Sequence, residues 1–290
     1  MNLEGPSDYD FSHSEDYDLA GSGAEYLNEF LLADHVATEA GKELSRLQDA
    51  EFESRVREGT EKVTEIDESI EREVTEYLEG MGYEVAGEEL GSETGSDGYF
   101  LIDPIDGTQN FKVGAPEYCF SIAYIEGGET RAAAIAAPEY VEEDSRKLYT
   151  ALEGEGAFLS GREISVGEGD MEVVYAKVSD RSGTVRGVER PVVDALKSRE
   201  GVQVRRRGAA ALDGAFLAEG VGEGQVLGAI NDYDVAASNL IIEEAGGEVL
   251  MDEGKIPKDE EQNYPFLVAA NDEETLEELS EVYLENAGEI

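Results

Sequence analysis

The stretch that most constrains this chain is DPIDGTQNF, Asp103 to Phe111. An apolar run, Tyr99-Phe100-Leu101-Ile102, leads into it with the length and character of a buried strand. Two carboxylates follow, Asp103 and Asp106, with Pro104 between them fixing φ. Gly107 is free to take a positive φ, and Thr108 then brings a hydroxyl. Taken singly, Asp-Pro and Asp-Gly are ordinary turn pairs. Taken together, a strand that ends in oxygen donors and breaks into a glycine turn suits a hard divalent cation, which takes carboxylate, carbonyl and water oxygens. The N–H groups after the turn are placed to face an anion.

The rest of the chain folds around this strand under a heavy electrostatic load. Its 22 basic and 68 acidic residues leave a net charge of −46 over 290 residues. Such a balance disfavours nucleic acid and anionic membrane as partners, because both require cationic surface. Self-repulsion on this scale is screened in strong salt, where the Debye length at 1 M is roughly 3 Å. Acids spread through nearly every segment, with few lysines, therefore suggest a high-salt cytoplasm. The absence of a signal peptide or long apolar span fits the same cytoplasmic compartment. Cys119 is the sole cysteine, so an intrachain disulfide or a thiolate zinc cluster is excluded. With only His13 and His35, a histidine metal site or a Ser-His-Asp triad is disfavoured. Cys119 lies in the alternating run EYCFSIAYI and reads as core.

Residues 1–22 are acidic and lack periodicity, and they read as a disordered tail. Helical spacing predicts one helix from Ala24 to Leu47 and a second from Thr64 to Leu78, ended by Gly80 and Gly82. VAGEELGSETGSDG, from Val85, reads as a turn segment before the central strand. EYCFSIAYI and TRAAAIAA form a hairpin around Gly127-Gly128, and short strands follow. From Val173 strand and helix alternate, with a helix over Val235–Ala245 stopped by Gly246-Gly247. PFLVAA is a last strand, and Leu276, Leu279 and Tyr283 mark a closing helix. The expected organisation is an α+β lobe over 23–165 and an α/β lobe over 166–290, with helices packed on sheets.

Three further acids stand out beside the central motif. Glu88 lies in the GEE turn, Asp67 near the start of the second helix, and Asp234 at the opening of DVAASNLIIEEAGG. Each has an ordinary reading: Thr64 with Asp67 fits a capping box, Glu88 a solvated loop acid, and Asp234 an N-cap. The ordered set VTEID (63–67), GEE (87–89), DPIDGTQNF (103–111), YTALEGEGAFLSG (149–161) and DYDVAASNLIIEEAGG (232–247) nevertheless resembles the inositol monophosphatase family. That family comprises magnesium-dependent, lithium-sensitive sugar phosphatases and includes archaeal fructose-1,6-bisphosphatases and nucleotide 3′-phosphatases.

The resemblance implies a layered α-β-α-β-α sandwich in two lobes, with two or three Mg²⁺ between them. It implies that Glu88, Asp103 and the Ile105 carbonyl hold one ion, and that Asp103, Asp106 and Asp234 hold another. Asp67 would help place a third through water. It further implies in-line attack of a metal-activated water on a phosphate ester, with Thr108, oriented by Asp67, taking or steering the water's proton. The N–H groups of Gly107 and Thr108 would hold the phosphate, and a homodimer is the expected assembly.

Some positions depart from the family pattern. Tyr233 stands where Trp is usual, a packing change. Inositol-specific members carry an acid near Leu227 that contacts a sugar hydroxyl, and only apolar residues and glycine stand there in this chain, which argues against inositol phosphate as the physiological substrate. The segment from Gly208 to Gly220, with Ala209 where Ser or Thr is common, resembles the family's substrate-lining helix start, and it places Ala210 among the expected substrate contacts. Arg205-Arg206-Arg207 is the chain's only run of three cations; it can serve surface ion pairs or, through Arg207, a second phosphate. The expected substrate is thus a small phosphorylated sugar or polyol, either fructose 1,6-bisphosphate or inositol 1-phosphate, with a nucleotide 3′-phosphate behind them. A non-catalytic binding protein on the same scaffold is the alternative.

Overall fold

The computed structural model describes residues 1, 3, 17, 24–58, 63–88, 91, 95–138, 146–177, 186–228, 230–259 and 262–286. Two helices come first, α1 (Leu27–Glu58) and α2 (Val63–Gly80). The chain then builds β1 (Glu84–Gly87), β2 (Gly98–Asp106), the short helix α3 (Thr108–Val113), β3 (Cys119–Glu126) and β4 (Glu129–Pro138). Next are β5 (Arg146–Leu152), β6 (Gly156–Leu159) and β7 (Arg162–Glu163). These seven strands lie side by side in chain order; β1 and β2 are parallel and the others antiparallel.

The second half supplies β8 (Val173–Lys177), α4 (Arg186–Lys197), β9 (Gln203–Arg205), α5 (Ala210–Ala218) and β10 (Gly224–Gly228). It closes with α6 (Asp232–Glu244), β11 (Glu248–Asp259), β12 (Gln262–Ala270) and α7 (Glu273–Asn286). Its five strands take the order β11-β12-β10-β8-β9, also mixed in direction.

Side chains alternate across the first sheet as strand geometry requires. Phe100, Ile102, Ile122 and Tyr124 face α1 and α2, where Phe30, Val36, Ile70 and Val74 complete one core. Leu101, Ala123, Ala133 and Ile135 face the other way, onto Leu212 and Leu217 of α5 and Leu240 and Ile241 of α6. Leu227 and Leu267 of the second sheet close this middle core from its far side. The outer face of that sheet packs Val174, Val226 and Phe266 against Val192 of α4 and Leu279 of α7. The result is the expected five layers, helix–sheet–helix–sheet–helix. Both sheets are covered because each strand face is apolar.

Differences from the sequence reading have local causes. The turn expected from Val85 begins instead as strand β1, whose four residues are too few to show a period; parallel pairing with β2 makes it a strand. The first helix continues to Glu58, beyond Leu47. Strand β11 was not foreseen, since Asp, Gly, Lys and Pro interrupt it and its partner β12 organises it across two register shifts. The acidic tail expected over 1–22 lies outside the described residues except at 1, 3 and 17. Tyr17 is buried, its ring edge-on to Phe30 and Phe158.

Candidate metal centre

Asp103 and Asp106 are an odd number of residues apart on β2, so in a regular strand they would point to opposite faces. The pairing with β3 shows why they do not: Asp103 is opposite Ser121 and Asp106 opposite Cys119, three steps on one strand against two on the other. The extra residue is a bulge in the Pro104-Ile105 segment, where the missing proline N–H suits a break in the ladder. Asp103 Oδ1 accepts the Ile105 N–H at 3.0 Å, which steadies the bulge from inside.

Asp234 arrives from the opposite side as the third residue of α6. Its Oδ2 accepts the Asn231 N–H at 2.8 Å and Asn231 Nδ2 at 3.2 Å, so the helix start holds the carboxylate in place. The N-cap is therefore Asn231, and Asp234 sits inside the first turn, where the helix dipole favours negative charge. Asp106 Oδ2 accepts the Ala211 N–H at 2.8 Å at the first turn of α5. Asp103, Asp106 and Asp234 are all buried, and one oxygen from each lies within 4.8 Å of the others.

Three converging buried carboxylates repel one another and lose their hydration. A hard cation resolves both costs, and an all-oxygen donor set is what Mg²⁺ takes. The residues present therefore fit the expected group. Asp67, on the first turns of α2, is buried as well, and Glu88, just beyond β1, is partly buried. Neither belongs to the 4.8 Å group. Glu89 lies outside the described residues.

Gly107 takes φ 90° and forms the N-terminal boundary of α3. Thr108 is partly exposed, and its hydroxyl donates to the Ile105 carbonyl at 3.0 Å. That bond turns the hydroxyl's lone pairs away from the strand. Asn110, later in the same helix, donates to the carbonyls of Glu117 and Arg207 at 2.6 and 2.7 Å, and so joins the motif to the segment before α5.

The expected substrate contacts are spread over that segment. Ala210 is fully buried, and its carbonyl accepts Gln225 Nε2 at 2.8 Å. The Arg207 guanidinium lies 4.2 Å from the Phe216 ring and 4.9 Å from the Tyr175 ring, and 3.9 Å from Asp213 Oδ1 through its Nε. Arg205, Arg206 and Arg207 line a cavity of about 560 Å³ with Tyr175 and Glu117. Leu227 is fully buried in β10.

Two residues at the site escaped sequence reasoning. Cys119 reads as core and is core, but its Sγ lies 3.8 Å from Asp106 Oδ2. Burial, then the charges of Asp106 and Asp103, push this thiol well above its ordinary pKa, so it remains protonated. Glu71 is fully buried one turn beyond Asp67. The spacing of four from Asp67 was the available signal, and an acid in an amphipathic helix ordinarily reads as solvated.

Known proteins resemble this chain in sequence and in fold. The model of the inositol monophosphatase family matches residues 27–284. A Thermotoga maritima fructose-1,6-bisphosphatase/inositol-1-monophosphatase is 34% identical over 230 residues, covering 78% of this chain and 85% of the relative. The Nus factor SuhB of Xylella fastidiosa is 36% identical over 191 residues, 64% of this chain and 67% of the relative. Among solved structures, Mycobacterium tuberculosis SuhB superposes with a TM-score of 0.70 at 26% identity, covering 90% of this chain and 97% of that one. An inositol monophosphatase from Anabaena shares the fold at a TM-score of 0.72 and 24% identity, over 89% and 96% of the two chains.

Proposed function

The chain belongs to the inositol monophosphatase family, and from that premise we propose that it is a Mg²⁺-dependent phosphomonoesterase for a small sugar or polyol phosphate. The single observation that carries this reading is the convergence of Asp103, Asp106 and Asp234, all buried, within 4.8 Å. A scaffold kept only for binding would gain stability by losing such a cluster, which is the argument against the non-catalytic alternative.

Asp103, Asp106 and Asp234 would hold the ions, with Glu88 and the Ile105 carbonyl completing the set and Asp67 placing a further one through water. When bound, Mg²⁺ supplies charge neutralisation at the phosphate and a water of lowered pKa. The Thr108 hydroxyl donates a hydrogen bond to the Ile105 carbonyl and so offers its lone pairs as an acceptor toward the attacking water. The N–H groups of Gly107 and Thr108 hold phosphate oxygens. Cys119, protonated and buried, takes no part.

Two observations favour fructose 1,6-bisphosphate over inositol 1-phosphate. Leu227, buried in β10, offers no acid to a sugar hydroxyl. The cavity lined by Arg205, Arg206 and Arg207 offers cationic surface in a chain with few cations, beside a segment that Asn110 ties to α3. Arg207 is held in place by Phe216 and Tyr175, so little side-chain entropy is lost when an anion binds it.

The test is phosphate release in molar KCl with Mg²⁺, comparing the two esters, with Asp106→Asn as control. Mg²⁺-dependent turnover that the substitution removes supports the reading, and the ratio of rates chooses the substrate. Folded protein without Mg²⁺-dependent turnover of either ester overturns it.

A further inference from the structure

Glu71 on α2 has no exposed surface. A Cβ built on Gly87 would lie 2.4 Å from Glu71 Oε1 and 2.7 Å from its Cδ. The carboxylate therefore rests against the β1 backbone at a point that only the absence of a side chain leaves open. Gly87 does not have the positive φ of Gly107, so glycine is required here for space alone.

The location is specific. Gly87 pairs in parallel register with Ile102, the residue before Asp103. Glu88 follows Gly87, so the Glu71 carboxylate sits where β1 delivers its acid to the same edge at which β2 delivers Asp103 and Asp106. Asp67 lies one helical turn earlier on the same side of α2, and it too is buried. Burying a carboxylate is costly, and an aliphatic side chain would fill a gap between helix and sheet at no such cost. Packing alone does not account for an acid at this position.

We propose that Glu71 is a positioning residue of the metal centre: its carboxylate fixes the Gly87–Glu88 backbone at the end of β1 and thereby sets how Glu88 meets the ions. This rests on the reading of Glu88 as a ligand. Residues that orient ligands without touching the metal typically change metal affinity by about 10–100-fold when replaced, and an effect of that order is expected here.

The test measures Mg²⁺ binding to metal-free protein by calorimetry, with the Mg²⁺ dependence of phosphate release alongside. Glu71→Gln preserves volume, and Gly87→Ala drives a methyl group into the carboxylate, so each should weaken Mg²⁺ binding about tenfold or more. In a Glu88→Gln background Glu71→Gln should add nothing, because its effect passes through Glu88. The proposal is overturned if Glu71→Gln lowers the thermal midpoint but leaves Mg²⁺ affinity unchanged. It is also overturned if the substitution weakens binding equally without Glu88. Should Glu71→Gln fail to fold, Gly87→Ala decides by the same two criteria. Wild-type protein that binds no Mg²⁺ would instead sink the parent reading.

Discussion

The Ala211 amide donates to Asp106 Oδ2 across 2.8 Å, so an acid at the end of β2 caps the first turn of α5. Ala209, at the helix boundary, has no side chain able to do this. Asp106 thus joins the fold and the carboxylate cluster through one side chain.

From this follows a separable outcome for Asp106→Asn. The amide oxygen can still accept from Ala211, so stability without metal should stay within about 1 kcal/mol. Mg²⁺-dependent turnover should fall about a thousandfold, equivalent to roughly 4 kcal/mol of barrier. Asp106→Ala should lose both. Denaturant melts and steady-state rates on the two variants check this.

Asp103 likewise serves twice, since its Oδ1 also accepts a backbone N–H, that of Ile105. Its carboxylate shares a 4.8 Å cluster with two others, so metal-free Asp103→Asn should melt higher than metal-free wild type. Mg²⁺ should raise the wild-type midpoint and leave the variant nearly unmoved; at a hundred times Kd a bound ion contributes about 2.7 kcal/mol. Thermal melts with and without chelator decide it.

Gly107→Ala should damage the molecule twice over. The residue has φ 90°, and an added Cβ would meet the Glu117 carbonyl oxygen at 2.7 Å and Ala209 Cβ at 3.1 Å. A loss of at least about 1–3 kcal/mol is expected, together with reduced turnover because the displaced backbone carries the Thr108 amide. Chemical denaturation measures the first part and initial rates the second.

Glu84 provides a pH test away from the candidate metal centre. The Gly95 N–H, and after it the Ser96 N–H, hold its carboxyl below the ordinary glutamate value, donating at 2.6 and 3.2 Å. A lowered folded-state pKa gives stability that is present above the unfolded value of about 4.3 and is lost as pH falls through the folded value. Glu84→Gln should therefore melt slightly lower than wild type at pH 7, and the gap should close in acid. A gap that widens as pH falls would contradict the sign.

The charge of −46 makes salt a further variable. The thermal midpoint should rise with KCl well past 0.1 M, where the Debye length is about 10 Å, and flatten toward 1 M. A midpoint independent of salt would show that the surface acids are already balanced locally.

What the sequence determined by itself is what neighbouring residues settle among themselves. The strand into Asp103, the glycine turn at Gly107 and the period of α2 all depend on interactions within a few residues, so they could be read directly. The order of motifs was legible for the same reason, and with it the family resemblance. Tertiary structure alone decided the rest. Asp103 and Asp106 share a face because pairing with β3 makes room for a bulge, and pairing is a property of two strands. Asp234 joins them because α6 packs across the first sheet and Asn231 fixes its carboxylate. β1 exists because β2 lies beside it. Glu71 looked like one more solvated acid until helix and sheet closed over it, since burial depends on what packs from elsewhere and leaves no mark in local spacing.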